Sequence, residues 1–239
     1  MTFAPLGDSA VVVTLGSSID EATLLRVRSL AAALESETAA GVVDVVPAYT
    51  TVTVFYNATP HAPDNGSPYD RICRLITARA EKSDNSWSEV MRENLGGLHD
   101  EAAQLEIPVC YGGAFGADIG DVAQCAKLTP EEVIELHSGA SYVVHAVGFT
   151  PGFPYLAGLP GKLHTPRRAT PRTNVPAGSV GIGGAQTGVY PIATPGGWQL
   201  IGRTPLALFR AAANPPALLR VGDRVKFKAI TPEDFAAWK

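Results

Sequence analysis

Residues 148–197 read GFTPGFPYLAGLPGKLHTPRRATPRTNVPAGSVGIGGAQTGVYPIATPGG, with 19 glycines and prolines in 50 positions. Without a strict period, that density usually marks a disordered chain. Here it is interleaved with Phe149, Phe153, Tyr155, Val175, Val180, Ile182, Val189, Tyr190 and Ile192, which a disordered segment does not carry. The pattern therefore predicts short strands joined by tight turns. Glycine supplies positive-φ positions, and proline fixes φ and removes strand donors. No Asp or Glu occurs between Glu135 and Asp223, whereas Lys162, Arg167, Arg168, Arg172, Arg203, Arg210 and Arg220 do. A stiff, cationic surface without carboxylates suits an anion. It is poorly suited to a metal or to carboxylate acid–base chemistry.

The formal net charge of −4 hides this asymmetry. Residues 1–135 hold 20 acids and 8 bases, and residues 136–222 hold 7 bases and no acid. Neither part has the dense basic stripe of a nucleic-acid binder, so a local site for a small-molecule substrate or a partner is the simpler reading. Cys73, Cys110 and Cys125 are an odd count without CxxC spacing, which argues against zinc and against a disulfide framework. The start MTFAPLGDSA lacks the features of a signal peptide, and no apolar run reaches the ~18 residues of a membrane span. A cytoplasmic protein with no membrane association is expected.

Element signals divide the chain. Ser9–Leu15 reads as a strand, Ser18 and Glu21 as a capping box, and Leu24, Val27, Ala31 and Leu34 as the buried face of a helix. Val42–Ala48 and Thr51–Tyr56 read as strands. Ser67 and Pro68 start a second helix that buries Ile72, Leu75 and Ile76. These elements predict a small α+β domain over residues 1–82. The polar residues 83–103 read as a linker. Residues 104–239 open with a strand at Leu105–Cys110 and two helices, the second capped by Thr129 and Glu132. The run SYVVHAVG and the Gly/Pro segment then have the habit of a β-barrel. Val225 and Phe227 share one face of a last strand, and Thr231 caps a last helix.

The runs GFTPGFPYL, PRRATPRTNVPAGSVGIGGAQTGVYP and TPGGWQLIGRTPLALF closely resemble one bacterial family, as do GDSAVVVTLG, VVPAYTTVTVFYN and YGGAFGADIGDVA. It is the Kip-type histidine-kinase inhibitor family, also described as allophanate hydrolase subunit 1. Its best-described role is as the B-type subunit of the bacterial ATP-dependent 5-oxoprolinase. The resemblance covers nearly the whole chain. It implies an α+β fold in which a small N-terminal α+β domain precedes a cyclophilin-like β-barrel. It also implies a hetero-oligomer with a related barrel protein, the C-type subunit, and a third, lactam-opening subunit. The implied reaction opens 5-oxoproline to glutamate with ATP hydrolysis, at a composite site that is inactive without partner subunits. The family also implies two other roles, an inhibitor that binds a sensor histidine kinase and a carboxyltransferase-like module acting on urea or another amide.

Within the matching motifs, Arg168, Arg172 and Arg203 are candidate anion ligands, because a guanidinium binds carboxylate or phosphate bidentately. A structural ion pair is the competing reading, and Arg167 reads as solvated. Gln186 and Tyr190 carry neutral groups able to bond an amide or lactam. Phe153, Tyr155 and Trp198 are candidate walls of a pocket or interface, and Phe149 reads as barrel-end core. His145 is the candidate general base, against the alternative of a satisfied core histidine, with His164 its rival. No metal ligand is expected in this stretch. No GxxxxGK[ST] is present, so ATP must be held by glycine-turn amides, by the arginines or by the partner, with magnesium ligands from outside residues 136–222.

Overall fold

The computed structural model describes residues 1–35, 41–58, 66–81 and 104–238. The chain divides into a unit Met1–Ala102 and a unit Ala103–Lys239. The linker expected over 83–103 lies outside the described residues.

The first unit is a mixed layer of sheet and helix. Strands β1 (Thr2–Pro5), β2 (Ala10–Thr14), β3 (Val42–Ala48) and β4 (Thr51–Tyr56) form an antiparallel sheet in the order β1-β2-β4-β3. Helix α1 (Glu21–Glu35) buries Leu24, Val27, Leu30, Ala31 and Leu34. Helix α2, over residues 68–81, adds Ile72 and Ile76 to the same core as Val11, Val13, Val52 and Val54. Ser67 caps α2 as expected, and Asp70 makes the cap a reciprocal box: the Ser67 hydroxyl accepts the Asp70 N–H at 3.1 Å, and the Asp70 carboxylate accepts the Ser67 N–H at 3.2 Å. The box expected at Ser18 and Glu21 does not form. Asp20 caps α1 by accepting the Thr23 N–H at 2.7 Å, and Ser18 donates to Asp20. A carboxylate directly before the first turn opposes the positive end of the helix and displaces the hydroxyl from that duty.

The second unit is a closed barrel of seven strands. These are β5 (Leu105–Tyr111), β6 (Ser141–Val147), β7 (Pro154–Ala157), β9 (Ser179–Gly183), β10 (Gln186–Val189), β12 (Gln199–Arg203) and β13 (Arg224–Ala229). Their order is β6-β13-β5-β12-β9-β10-β7, and β7 pairs back onto β6. All seams are antiparallel except β5–β13, which is parallel. Two short strands, β8 (Arg172–Val175) and β11 (Thr194–Gly196), form a separate ribbon. Helices α3 (Ile119–Ala126) and α4 (Pro130–Gly139) lie against β12 and β13. Thr129 and Thr231 cap α4 and α5 (Pro232–Ala237) through complete capping boxes. Val225 and Phe227 are buried beside Val144, Leu156, Val180, Ile182, Val189 and Ile201, while Lys226 and Lys228 face out. No described helix is long and apolar enough to cross a membrane.

The barrel core contains a polar network centred on His137. Thr187 Oγ1 donates to the Gly181 carbonyl at 3.0 Å, so its lone pair accepts from His137 Nε2 at 2.9 Å. The imidazole is therefore the Nε2–H tautomer, and Nδ1 accepts from the Tyr111 hydroxyl at 2.8 Å. The ring stacks on Phe227 at 4.5 Å between centroids. Fully buried and already satisfied as a neutral ring, His137 has its pKa pushed from 6.5 to about 3 by desolvation. The sign follows from linkage. Below pH 6.5 the unfolded chain binds a proton that the native ring refuses, so stability falls with pH down to about 3 and is flat above 6.5. We expect this residue to add a slope of up to about 1.4 kcal/mol per pH unit within that window. Urea midpoints of wild type and His137→Gln between pH 4 and 8 check it: the variant's curve should be flatter on the acid side, whatever its absolute stability.

Candidate functional site

The Gly/Pro segment builds strands β7 to β11 and then folds its aromatic side chains into one cluster. Phe153 is central. Its ring meets Tyr190 at 5.1 Å and 80°, Trp198 at 5.4 Å and 87°, and Tyr155 at 4.9 Å and 59°. The contacts with Tyr190 and Trp198 are edge-to-face, aligning positive ring edges with negative faces, and that with Tyr155 is tilted. The neighbouring glycines are what make the cluster possible. A Cβ on Gly183 would stand 2.6 Å from the Trp198 indole, and one on Gly196 2.5 Å from the Tyr190 hydroxyl. Phe149, expected in the core, is instead 62 % exposed and holds φ +69. It lies edge-on to Phe153 and Tyr190 as part of the cavity wall. A non-glycine residue in the left-handed region is uncommon and often found at functional loops.

The cluster lines a solvent-open cavity of about 310 Å³, bounded by Phe149, Phe153, Tyr155, Tyr190 and Trp198 on its aromatic side. Arg167 and Arg168 complete it with Pro195 and Gly196 of β11 and the following Gly197. Arg167, expected to be solvated, places its guanidinium 5.8 Å from the centre of the Trp198 ring. Burial pushes the Tyr155 and Tyr190 hydroxyls up, against the opposing pull of nearby arginine charge and, for Tyr190, a bond from the Trp198 N–H. Both hydroxyls are neutral near pH 7 and offer a donor and an acceptor. The lining contains no histidine, cysteine or carboxylate. The cavity can bind and orient a ligand, and it does not itself supply a general base.

The arginines are fixed by Asp118, a carboxylate of the YGGAFGADIGDVA run with no expected site role. Asp118 is 3 % exposed and precedes α3, yet its side chain does not cap the helix. Oδ1 accepts from Arg168 Nη1 at 2.9 Å and from Arg172 Nη2 at 2.6 Å, and Oδ2 accepts from the Leu200 N–H at 2.7 Å. The backbone holds both arginines from the other end. The Arg168 N–H donates to the Gly197 carbonyl at 2.7 Å, and Arg172 pairs with Gly196 in the β8–β11 ribbon. Each guanidinium keeps one buried donor, Arg168 Nε and Arg172 Nη1, with no partner among the described residues. Arg167 and Arg168 bring two positive charges to the lining, while Arg172 and Asp118 pair with each other outside it.

The remaining expected site residues lie elsewhere. Arg203 donates from Nε to the Ala177 carbonyl at 2.8 Å and places its guanidinium over Phe235. Gln186 opens β10 and does not line the cavity. His145 is buried in β6, where the register to β7 shifts between Val144 and Ala146. That bulge breaks the alternation expected to place it with Val143 and Val147. His164 approaches the Leu159 carbonyl through Nε2 at 3.3 Å. Among the described residues, no group of three or more His, Cys, Asp or Glu side chains converges as a metal site.

Comparison with known proteins agrees with this architecture. Residues 1–219 match the carboxyltransferase domain, subdomain C and D family. The B-type 5-oxoprolinase subunit of Bacillus subtilis (strain 168) is 46 % identical over 238 residues, covering 98 % of this chain and 95 % of that protein. The crystal structure of TTHA0988 superposes with a TM-score of 0.73 at 34 % identity over 93 % of this chain, which spans 40 % of that longer chain. Kluyveromyces lactis urea carboxylase superposes with a TM-score of 0.69 over 98 % of this chain and 22 % of its own; at 19 % identity it shows the fold alone.

Two substitutions test the scaffold. Asp118→Ala leaves two guanidiniums and the Leu200 N–H without their acceptor. Because the arginine side chains stay 33 % and 24 % exposed, the cost should be about 2–3 kcal/mol in urea unfolding, less than for a fully enclosed pair. Gly183→Ala drives a methyl into the indole and should cost about 1–3 kcal/mol, with a changed Trp fluorescence maximum.

Proposed function

Because the chain belongs to the carboxyltransferase domain, subdomain C and D family, we propose that it is one subunit of a 5-oxoprolinase. Similarity to the Bacillus subtilis 5-oxoprolinase subunit over nearly the full length of both chains supports this reading. In the proposed assembly it works with a related barrel subunit and a third, lactam-opening subunit, coupling ATP hydrolysis to conversion of 5-oxoproline to glutamate in the cytoplasm. The observation that carries the composite-site reading is the character of the cavity. It offers cations, neutral hydroxyls and aromatic walls, but no histidine, cysteine or carboxylate.

Arginine suits either a carboxylate or a phosphate. Magnesium does not fit this cavity, because its lining has no carboxylate and both oxygens of Asp118 are already engaged. The metal-bearing end of the nucleotide therefore belongs to the partner in this proposal. This chain's residues bind and orient, hold the ring of the substrate away from water, and leave proton transfer to groups brought by the assembly.

The test is ADP release and glutamate formation by this chain alone, with the related barrel subunit, and with all three subunits. We expect no turnover by the chain alone, 5-oxoproline-stimulated ADP release from the barrel pair, and glutamate only from the full set. Full activity of the isolated chain would contradict the composite site. A folded, associated set that ignores 5-oxoproline would remove the oxoprolinase reading.

A further inference from the structure

We propose that the aromatic cavity takes the ring acid of the reaction and not the nucleotide, with the ring carboxylate held by Arg168 and Asp118 acting as the positioning residue for that arginine. The choice between these two ligands rests on the functional reading above. The chemistry of the cavity, a flat ring bearing one carboxylate, rests on the geometry.

Three observations select that ligand. At about 310 Å³ the cavity stands at the small end of ligand sites, a size for a single five-membered ring with its substituents. Its walls are ring edges and faces from Phe153, Tyr155 and Trp198, which contact a flat ring over both sides. Tyr155 and Tyr190 add neutral hydroxyls for a lactam N–H and C=O. The charge is also matched. Arg167 and Arg168 are the charged side chains of the lining, so a single carboxylate meets two cations and no competing acid. A triphosphate brings several negative charges and a metal, for which the lining has no ligand.

Asp118 makes this arrangement specific. By accepting from Arg168 Nη1 and Arg172 Nη2 it fixes the direction of both guanidiniums, of which Arg168 lines the cavity, and it offsets part of the repulsion between the two cations. Without it the two forks lose their common anchor, although the arginines remain charged. Asp118 acts through the arginines and does not touch the ligand.

The experiment is steady-state kinetics of the assembled enzyme with wild type, Arg168→Gln and Asp118→Asn, varying 5-oxoproline and ATP separately. Losing a charge-assisted bond should raise the KM for 5-oxoproline about tenfold or more in each variant, with the KM for ATP unchanged within about twofold. The neutral carboxamide of 5-oxoproline should compete at least about tenfold more weakly than the acid against wild type, and the difference should shrink in Arg168→Gln. If Arg168→Gln folds, assembles, and raises the KM for ATP instead, the assignment of the cavity is overturned. An unchanged KM for both ligands overturns it as well, while the oxoprolinase reading survives. Asp118→Asn can fail to fold; Arg168→Gln and Tyr155→Phe then carry the test, the second with a smaller rise in KM. If the assembly does not turn over 5-oxoproline at all, Trp198 fluorescence decides for the chain alone. Quenching by 5-oxoproline that is lost in Arg168→Gln supports the ring-acid site without the oxoprolinase role. No quenching in wild type overturns it.

Discussion

The barrel depends on a carboxylate taken out of water. Asp118 is almost fully buried, and such a charge is costly unless every lone pair facing the protein finds a donor. It meets that requirement with two guanidiniums and the Leu200 amide, and its own N–H returns a bond to the Leu200 carbonyl. This arrangement joins the start of α3, the strand β12 and the loop leading into β8. Gln199, at the start of the same strand, adds a second link by donating to the Pro166 carbonyl at 3.0 Å. The same contact fixes the direction of the two arginines, so the stability of the barrel and the shape of the cavity share one anchor.

Aromatic packing is the second constraint, and it explains the composition of the segment. Aromatic contacts around Phe153 bring rings within about 5–6 Å of one another, leaving no room on the adjoining strands for a side chain. Gly183 and Gly196 therefore follow from Trp198 and Tyr190. The prolines around them hold extended backbone where a ladder bond is not needed. The segment is rigid although its composition is the one usually associated with loose chains.

What can be read from the sequence is local. Thr129 and Thr231 announce their helices because a capping box is complete within four residues. Val225 and Phe227 show their face because alternation is a property of the strand alone. The cavity walls Phe153, Tyr155, Tyr190 and Trp198 and the wall cation Arg168 are also visible, since one dense segment supplies all of them. Strand β1 is not legible: Thr2–Pro5 is mostly exposed and ends on a proline, which suits an edge and carries no apolar pattern. Asp118 is hidden for a different reason. Its partners lie 50 and 54 residues on, and in sequence an Asp before a helix reads as a cap. His137 is equally silent, because Thr187 is 50 residues away. The bulge at His145 defeats any count by twos. Arg167 and Arg168 have the same local signal, and only the fold separates the one that stacks on Trp198 from the one that reaches Asp118.

The parallel seam between β5 and β13 has a consequence for how the molecule is made. Leu105 pairs with Val225, and the intervening chain contains every other strand of the barrel. Strand β13 also completes the edge of β6. On a ribosome, five barrel strands emerge after β5 before the one that closes the cylinder, so two sheet edges stay open through most of synthesis. Such edges pair readily with other chains, and long-range parallel closure is slow. The Lys226 and Lys228 side chains, charged and outward-facing on the closing strand, oppose stacking of that strand with a copy of itself until its proper neighbours are reached.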